Sequence, residues 1–440
     1  MRSSSGKSKP LSGTVRAPGD KSISHRSMIF GAMAEGTTHV TGLLEGADIL
    51  STASVMQALG AVVTRTGEGA YTVKGCGPDG LKTPKVDLDC GNAGTGVRLI
   101  MGACAGYKIR ATFTGDASLS SRPMNRILDP LRDMGVSATS QAGGRLPVTL
   151  ESDGRLEPAT YTPPIASAQV KSAVLLAALN TKGTTTVTEP IPTRDHTENM
   201  LRAFGAKVEL TKRNGADVIK LDGPVALKAT KINVPGDPSS AAFPIVAALI
   251  TPGSDIIVEN VMMNATRTGL FDCLTEMGGH VQANNFRKSG GEVIADIHVK
   301  YSKLHGITVP PERAASMIDE YPILAVAASA ANGTTIMDDI GELRVKESDR
   351  ITATAELLSA NGVQVEELEH GLKVTGGSVP GGGLVKTHHD HRIAMSALVL
   401  GCVANSPVSI DDASMIATSF PTFFDLMNGL GAEISGGEIS

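Results

Sequence analysis

Hydrophobic and polar positions along the chain follow a pattern that recurs six times. In each copy an apolar helical stretch runs into a glycine, and a β-branched strand comes next. Each glycine predicts the left-handed conformation that ends a helix, where a Cβ would be penalised. The copies span residues 55–63, 131–138, 200–210, 270–281, 355–365 and 424–434.

A second series of segments alternates with the first. Each member is an Ala-rich helix that leads through a turn into a strand. Together the two series predict six α/β units, and 440 residues divided by six gives about 73 residues for each. The members of this second series span residues 24–38, 94–106, 169–185, 241–253, 321–335 and 392–406.

A repeated tripeptide divides these units into two halves. Pro-Gly-Asp occurs at residues 18–20 and again at 235–237, 217 positions later, which corresponds to about three units. We therefore predict one domain over residues 17–234 and a second over residues 235–440, which residues 1–16 complete. A strand near residues 13–16 is expected to pair with this second half. An open solenoid would need polar capping repeats, and the sequence shows none.

Composition and charge argue against several classes of protein. Forty Lys and Arg stand against 45 Asp and Glu, so the formal charge is −5 and no positive field favours nucleic acid. The five cysteines include no C-x-x-C pair, so neither a disulfide framework nor a thiolate zinc site is indicated. No apolar run approaches the ~18 residues that span a bilayer. We expect a cytoplasmic protein without a membrane anchor.

Polar turns precede the six Ala-rich helices, and cations accompany them. The N-terminus of a helix carries unpaired N–H groups and about half a positive charge, so it suits anions. Cations are normally favoured at the other end, so their placement here predicts a bound anion. Ordinary N-capping by Ser, Asp and Asn is the alternative for any single helix. The cations near these starts are Lys21, Arg26, Arg98, Lys171 and Arg392, with Arg122 and Arg194 on loops.

The densest group of charges spans residues 344–350, at the entry to a predicted helix. At helical spacing Lys346, Glu347 and Arg350 share a face, so a carboxylate could be held among cations and still reach a substrate. A solvated face of weak ion pairs is the alternative. The run His-His-Asp-His at residues 388–391 is not expected to bind a metal, because consecutive side chains point in different directions.

Four segments stand out among these: GDKSISHR at 19–26, GNAGTG at 91–96, RVKESDR at 344–350 and DHR at 390–392. They resemble the signatures of one enzyme family, the 3-phosphoshikimate 1-carboxyvinyltransferases or 5-enolpyruvylshikimate-3-phosphate synthases. Two further segments, residues 317–322 and 417–421, resemble its class II bacterial branch. The resemblance implies an α/β fold of two similar domains, each with three βαβαββ units, which is the inside-out α/β barrel of enolpyruvyl transferases. The active site is implied in the cleft between the domains.

The resemblance also implies the reaction. The 5-hydroxyl of shikimate 3-phosphate attacks C2 of phosphoenolpyruvate, C3 is protonated, and phosphate leaves from a tetrahedral intermediate. This transferase reaction belongs to the shikimate pathway, on the route to chorismate and the aromatic amino acids. No metal or organic cofactor is implied. We expect a monomer, because one chain already contains both halves of the cleft, and glyphosate is the inhibitor to test.

Functional residues of the family carry over by position. Binding of shikimate 3-phosphate is implied for Lys21, Ser22, Arg26, Ser167, Gln169, Arg194, Asp319 and Lys346. Binding of phosphoenolpyruvate is implied for Lys21, Gly94, Arg122, Gln169, Arg350 and Arg392. Catalysis is implied for Asp319, as the base for the 5-hydroxyl, for Glu347, as the donor of the proton to C3, and for Lys21. The division of the proton transfers among these three stays open.

Three positions depart from the family pattern or divide its members. Ala168 stands where many members have a second Ser, and Arg194 is expected to replace that phosphate contact. Thr418 stands where other branches carry a Lys that contacts phosphoenolpyruvate. Gly94 is the position where some glyphosate-tolerant members carry Ala, so the response to glyphosate stays open.

Two rival functions are also open at this point. The UDP-N-acetylglucosamine enolpyruvyl transferases share the fold, but they usually place a Cys or Asp acid in the loop that here spans residues 116–123 and contains no Cys. A non-catalytic repeat protein that binds anions would keep the cations at the helix starts but would not need Asp319 or Glu347. Release of phosphate from phosphoenolpyruvate, dependent on shikimate 3-phosphate, discriminates among the three.

Overall fold

The chain forms two compact units in the computed structural model, which describes residues 2–289 and 291–436. The first unit comprises Gly19–Val234 and Ser289–Glu292, and the second comprises Met1–Pro18, Pro235–Lys288 and Val293–Ser440. The two main crossings between the units lie beside the two Pro-Gly-Asp tripeptides.

Fourteen α-helices occur in the described residues. Those of the first unit are α1 (Lys21–Met33), α2 (Ala47–Ala58), α3 (Gly94–Ala105), α4 (Ala117–Ser121), α5 (Asn125–Asp133), α6 (Ala168–Ala178) and α7 (His196–Ala203). Those of the second unit are α8 (Pro238–Ile250), α9 (Gly269–Glu276), α10 (Ala314–Met317), α11 (Tyr321–Ser329), α12 (Arg350–Ala360), α13 (His391–Gly401) and α14 (Phe423–Gly429). Short 3₁₀ turns span Gly77–Asp79, Pro311–Arg313, Gly341–Val345 and Ser414–Thr418.

Strands connect these helices. Across the described part of the chain they are β1 (Ser3–Gly6), β2 (Ser12–Arg16), β3 (Thr37–Thr41), β4 (Val62–Gly67), β5 (Ala70–Lys74), β6 (Leu88–Asp89), β7 (Lys108–Thr114), β8 (Ser137–Gln141), β9 (Arg145–Asp153), β10 (Thr160–Tyr161), β11 (Gly183–Glu189), β12 (Val208–Arg213), β13 (Ala216–Gly223), β14 (Lys231–Asn233), β15 (Asp255–Met262), β16 (His280–Ser289), β17 (Glu292–Lys300), β18 (Thr334–Met337), β19 (Gln364–Leu368), β20 (Gly371–Thr375), β21 (Leu384–Val385), β22 (Val408–Ile410) and β23 (Glu433–Ser435).

These strands form six sheets within the described ranges, one for each of the six sequence repeats. The strand orders are β14-β3-β5-β4, β6-β7-β9-β8 and β10-β11-β13-β12 in the first unit, and β2-β15-β17-β16, β18-β20-β19 and β21-β22-β1-β23 in the second. A four-stranded sheet starts with a parallel pair and continues with antiparallel strands. In one of them β6 runs parallel to β7, and β7 runs antiparallel to β9 with Phe113 opposite Val148. The predicted sixfold α/β repeat is therefore present.

The Ala-rich helices form the centre of each unit. Helices α1, α3 and α6 pack together in the first unit, and α8, α11 and α13 do so in the second. Every residue of α8 is buried, as expected for a helix that is apolar on all sides. The sheets cover these helices, so strands such as β7 alternate buried and exposed residues over most of their length. No helix in the described residues has the length and apolar character needed to cross a membrane.

The six glycines of the sequence repeat share one backbone conformation. Each lies two residues after the end of a helix, and their φ angles range from 75° to 114°. A Cβ is strongly disfavoured there, so glycine ends the helix and lets the chain turn into the next strand. The residues are Gly60, Gly135, Gly205, Gly278, Gly362 and Gly431.

In each of the two compact units, strands that are far apart in the sequence pair with each other to complete the sheets. The predicted strand near residues 13–16 is β2, and it pairs in parallel with β15 of the second unit. Strand β1 lies between β22 and β23 and is antiparallel to both. In the first unit β14, at the end of the segment, pairs in parallel with β3 near its beginning.

Candidate active site

The start of α1 carries Lys21 and Ser22 on the first unit. Asp20 caps this helix by accepting a hydrogen bond from the Ile23 N–H at 2.7 Å, which fixes the direction of the backbone. The Lys21 ammonium lies 2.5 Å from Oδ2 of Asp48, which holds the side chain in place. The Lys21 side chain is 29% exposed, so part of it remains accessible to a solute.

Arg26, one turn further along α1, is buried and held on three sides. Its Nε donates to Oγ1 of Thr197 at 2.8 Å, Nη2 donates to Oγ of Ser172 at 3.0 Å, and Nη1 donates to the Ser22 carbonyl at 3.0 Å. Burial lowers the pKa of Arg26 to about 10, so the group still carries its charge at neutral pH. Arg26 is therefore a fixed positive charge near the start of α1.

Two arginines approach the start of α3. Nη2 of Arg122 donates to Oδ1 of Asn92 at 2.9 Å and to Oγ of Ser118 at 3.0 Å, which orients the guanidinium. A Cβ built on Gly94 would lie 3.0 Å from Nη1 of Arg122 and 3.5 Å from Nη1 of Arg98. The missing side chain thus lets both cations come close to a helix N-terminus, an arrangement that suits an anion.

Ser167 and Gln169 lie at the start of α6. The Ser167 hydroxyl caps the helix and accepts from the Val170 N–H at 3.4 Å. The Gln169 amide accepts from Nη1 of Arg98 at 2.8 Å and donates to Oγ1 of Thr95 at 3.0 Å. Gln169 therefore joins the starts of α3 and α6, which the sequence separates by about 70 residues.

Lys171 does not have the role expected of a cation at a helix start. The sequence pattern predicted that a bound anion would neutralise it, and this is wrong. Its Nζ lies 2.7 Å from Oε2 of Glu189 and 2.8 Å from Oε1 of Glu198, and none of the three side chains is more than 4% exposed. Two carboxylates of the protein already balance this charge. Both glutamates are distant in sequence, so the pattern around Lys171 gave no sign of them.

Arg350 is the centre of the group in the second unit. Its Nε donates to Oδ2 of Asp390 at 2.7 Å, Nη1 donates to Oδ1 of Asp319 at 3.1 Å, and Nη2 donates to Oε2 of Glu347 at 2.6 Å. Burial opposes the charge of Arg350, but the three carboxylates outweigh it and raise its pKa. Burial likewise disfavours the charged form of Asp390, and the positive charge of Arg350 nevertheless lowers the pKa of Asp390. Asp319 and Glu347 are thus brought together on one guanidinium.

The helical face predicted for Lys346, Glu347 and Arg350 is only partly present. Asp349 caps α12 by accepting from two backbone N–H groups at 3.2 Å, so the helix begins at Arg350 and Lys346 is extended. Glu347 still meets Arg350, whereas Nζ of Lys346 lies 3.3 Å from Oε1 of Glu342. An Asp before a helical run is a recognised start signal, and it could have indicated this boundary.

Arg392, at the start of α13, contacts the turn before α11. Its Nη1 donates to the Asp319 carbonyl at 3.1 Å and to Oε1 of Glu320 at 3.3 Å. The Glu320 side chain is 2% exposed, and no sequence motif assigned it a role. Its place beside Asp319, immediately before an apolar helix, is the signal that could have found it.

One group of side chains in the described residues has metal-ligand geometry. Asp195, His196 and Glu292 in the first unit each offer an atom within 4.8 Å of the others. Nδ1 of His196 and Oε1 of Glu292 are 3.0 Å apart, and both side chains are buried. The geometry therefore shows a histidine paired with a carboxylate. His388, in the run at residues 388–391, instead pairs with Glu356 at 2.9 Å.

Comparison with known proteins identifies the family. The model of EPSP synthase (3-phosphoshikimate 1-carboxyvinyltransferase) matches residues 6–427. A 3-phosphoshikimate 1-carboxyvinyltransferase from Parvibaculum lavamentivorans is 59% identical over 429 residues, covering 97% of this chain and 95% of the relative. The enzyme of this name from Phenylobacterium zucineum is 59% identical over 426 residues, covering 96% and 94%. The chain belongs to the EPSP synthase family. It is therefore an enolpyruvyl transferase of the shikimate pathway, and the expected activity is confirmed.

Solved structures agree with membership in the EPSP synthase family. An EPSP synthase from Acinetobacter baumannii superposes with a TM-score of 0.90 at 45% identity and covers 99% of this chain and 100% of that one. The enolpyruvyl transferase NikO from Streptomyces tendae has a TM-score of 0.77 at 20% identity, over 99% of this chain and 98% of its own, which shows the shared fold. The predicted fold class, two similar domains of three βαβαββ units, is confirmed. The alternative reaction on UDP-N-acetylglucosamine is not favoured.

Proposed function

We propose that this EPSP synthase binds shikimate 3-phosphate and phosphoenolpyruvate in a cleft between its two units, so that both groups of residues act on one pair of substrates. The family match over residues 6–427 carries this proposal. Its physical support is the concentration of basic side chains at helix starts, because two highly anionic substrates need several cations to share a site.

Shikimate 3-phosphate is assigned mainly to the first unit. Ser167 and Gln169 at the start of α6 and Ser22 at the start of α1 supply polar groups, and Arg26 supplies a buried charge. Arg194, on the loop between β11 and α7, is assigned to the 3-phosphate in place of the hydroxyl that Ala168 lacks. Lys346 is assigned to the same substrate from the second unit. Charge-assisted hydrogen bonds of this kind are worth about 1.5–3 kcal/mol each.

Phosphoenolpyruvate is assigned to cations of both units. The Gly94 backbone and Arg122 would bind it at the start of α3, with Lys21 and Gln169 shared between the substrates. Arg350 and Arg392 would bind it from the second unit. In the structure these two arginines already hold carboxylates or carbonyls, so each side chain is oriented before a substrate arrives.

Asp319 and Glu347 are proposed as the proton carriers. Asp319 would accept the proton of the 5-hydroxyl as this oxygen attacks C2, and Glu347 would deliver a proton to C3. Elimination would then break the bond between C2 and the phosphate oxygen, return a C3 proton to Glu347 and pass the proton held by Asp319 to the leaving phosphate. Both carboxylates accept hydrogen bonds from Arg350, which orients them. Lys21 is proposed to assist catalysis.

The decisive test is an assay of phosphate release from phosphoenolpyruvate in the presence of shikimate 3-phosphate, with shikimate as the control substrate. We expect release only with the phosphorylated substrate. Glu347→Gln is expected to lower kcat by at least 100-fold, because it removes the proposed proton donor but keeps the size of the side chain. Glu366→Gln is the matched control, since Glu366 is 62% exposed and pairs with Lys373, and neither residue is assigned to a substrate. Equal kcat in the two variants would contradict the assignment of Glu347.

Closure of the two units around the substrates can be tested by small-angle X-ray scattering. Shikimate 3-phosphate recruits residues from both units in this proposal, so a saturating concentration should reduce the radius of gyration. An unchanged scattering profile would contradict a shared cleft that closes on the substrate.

A further inference from the structure

Lys171 is a buried charge that the assigned chemistry does not use. Its side chain is 1% exposed, and its ammonium contacts two glutamates of the protein. Burying an ammonium is costly unless partners compensate it, so its presence in α6 needs a reason. The partners of its ammonium provide a reason, because they lie in residues 189–198, the segment that carries Arg194.

Three contacts join Lys171 to this segment. Its Nζ lies 2.7 Å from Oε2 of Glu189, at the end of β11, and 2.8 Å from Oε1 of Glu198, in α7. It also donates to the Thr193 carbonyl at 3.5 Å, one residue before Arg194. The Thr193 hydroxyl in turn donates to the second oxygen of Glu189 at 2.5 Å. Lys171 thus ties both ends and the middle of residues 189–198 to α6.

The neighbour of Lys171 extends this network to Arg26. The Ser172 hydroxyl lies 2.7 Å from that of Thr197 in the same segment, and Arg26 donates to both hydroxyls. Two residues assigned to shikimate 3-phosphate are therefore connected to this segment. Arg194 lies within it, and Arg26 donates a hydrogen bond to its Thr197.

The packing on one side of this loop is open. A cavity of about 80 Å³ lies between it and the loop before α6, with Glu189 at its wall, and Ile191 is 60% exposed. The polar contacts of Lys171 therefore restrain residues 189–198 beside this open space. The lining residues are Pro163, Pro164, Ala166, Glu189, Pro190 and Ile191.

We propose that Lys171 is a positioning residue for the 3-phosphate of shikimate 3-phosphate: it ties residues 189–198 to α6, so that Arg194 and Arg26 are presented to the phosphate together with Ser167. The inference rests on the proposed function. It explains how the site operates with Ala168 in place of a second Ser, since a cation held on a restrained loop replaces the missing hydroxyl.

The test compares the binding of shikimate 3-phosphate with that of shikimate, which lacks the phosphate, by isothermal titration calorimetry. The variant Lys171→Met/Glu198→Gln removes the tie while the net charge of the buried cluster stays at −1, as in the wild type. We expect its Kd for shikimate 3-phosphate to rise at least tenfold and its Kd for shikimate to change less than twofold. Lys228→Met is the matched control, because Lys228 forms an exposed ion pair with Glu35 in the same unit. It should leave both values unchanged.

A second variant keeps the inference testable if the double substitution does not fold. Thr193→Val leaves the buried ion pairs in place and removes only the hydrogen bond to Glu189. We expect a three- to tenfold rise in Kd for shikimate 3-phosphate, again without an effect on shikimate. A purely structural role predicts lower thermal stability with both ligands affected equally, and that result would overturn the inference. Wild-type enzyme without phosphate release would refute the proposed function instead, so the two failures are distinguishable.

Discussion

Gly94→Ala is the substitution whose effect can best be worked out from the structure. The new methyl group would lie 3.0 Å from Nη1 of Arg122, 3.5 Å from Nη1 of Arg98 and 3.8 Å from Cδ1 of Leu119. Only the first distance is too short, so Arg122 must retreat by about 0.4 Å to restore an ordinary contact of ~3.4 Å. The backbone at Gly94 is helical, so the substitution causes no conformational strain of its own.

The cost of this retreat is set by the hydrogen bonds that hold Arg122. Its contacts with Asn92 and Ser118 resist the movement, but the crowded atom is the end of a flexible side chain. We therefore take the low end of the ~1–3 kcal/mol that overpacking costs, about 1 kcal/mol, which corresponds to roughly a fivefold rise in KM for phosphoenolpyruvate. Glyphosate is longer than phosphoenolpyruvate, so its Ki should rise more, by at least tenfold.

The assay is steady-state phosphate release with phosphoenolpyruvate varied, and then with glyphosate as a competitor. Gly429→Ala in α14 is the matched control, because a Cβ there meets nothing within 4 Å and the helix gains propensity. It should leave KM and Ki unchanged. Equal losses of substrate and glyphosate in Gly94→Ala, or an unchanged KM and Ki, would refute the steric argument.

Three further predictions follow from other parts of the chain. Arg122→Lys keeps the charge but loses the forked donor, so KM for phosphoenolpyruvate should rise about 10- to 100-fold with the Kd of shikimate 3-phosphate unchanged; a normal KM would show that Arg122 is wrongly assigned. Burial lowers the pKa of His25 to about 3, so below pH 6.5 the unfolded chain binds a proton that the folded chain does not. The free energy of unfolding therefore decreases as the pH is lowered. Between pH 7 and pH 5 the wild type should lose roughly 2 kcal/mol of its free energy of unfolding through His25, and urea unfolding of His25→Gln should show a loss that is smaller by this amount. An equal loss in the two proteins would contradict the lowered pKa of His25. Among the thiols, Cys76 is half-buried and the other four are buried, and burial raises the pKa of Cys90 to about 12. The reagent 5,5′-dithiobis(2-nitrobenzoate) at pH 8 should therefore modify Cys76 first and the others only in urea, and rapid reaction of all five would contradict this burial.

The sixfold repeat could be predicted because its signals are local. A helix that ends in glycine and an Ala-rich helix behind a polar turn each occupy a few adjacent residues, and the structure has both series at the predicted places. The helix starts also indicated the site, since Lys21 and Ser22 lie next to the Asp20 cap in the sequence. Family motifs supplied the roles of these residues, which spacing alone leaves open.

Contacts between distant segments could not be predicted in the same way. Lys171 looks like any cation at a helix start, and only the fold brings Glu189 and Glu198 to it. The face assumed for Lys346 failed because a single cap, Asp349, outweighs the spacing of the charges. Buried charge pairs of this kind depend on the tertiary structure, and a single sequence does not encode them in any short pattern.

The strand β1 imposes an order on the formation of the second unit. Ser4 lies opposite both Ser409 and Ser435, and the Ser3 hydroxyl donates to the Gly436 carbonyl, 433 positions later. During synthesis the sheets of the first unit can be completed once Asn233 has emerged, whereas residues 3–6 must wait without partners until almost the whole chain has been translated. A segment of three serines and a glycine is well suited to that delay, because it offers a passing nascent chain no apolar side chain to adhere to.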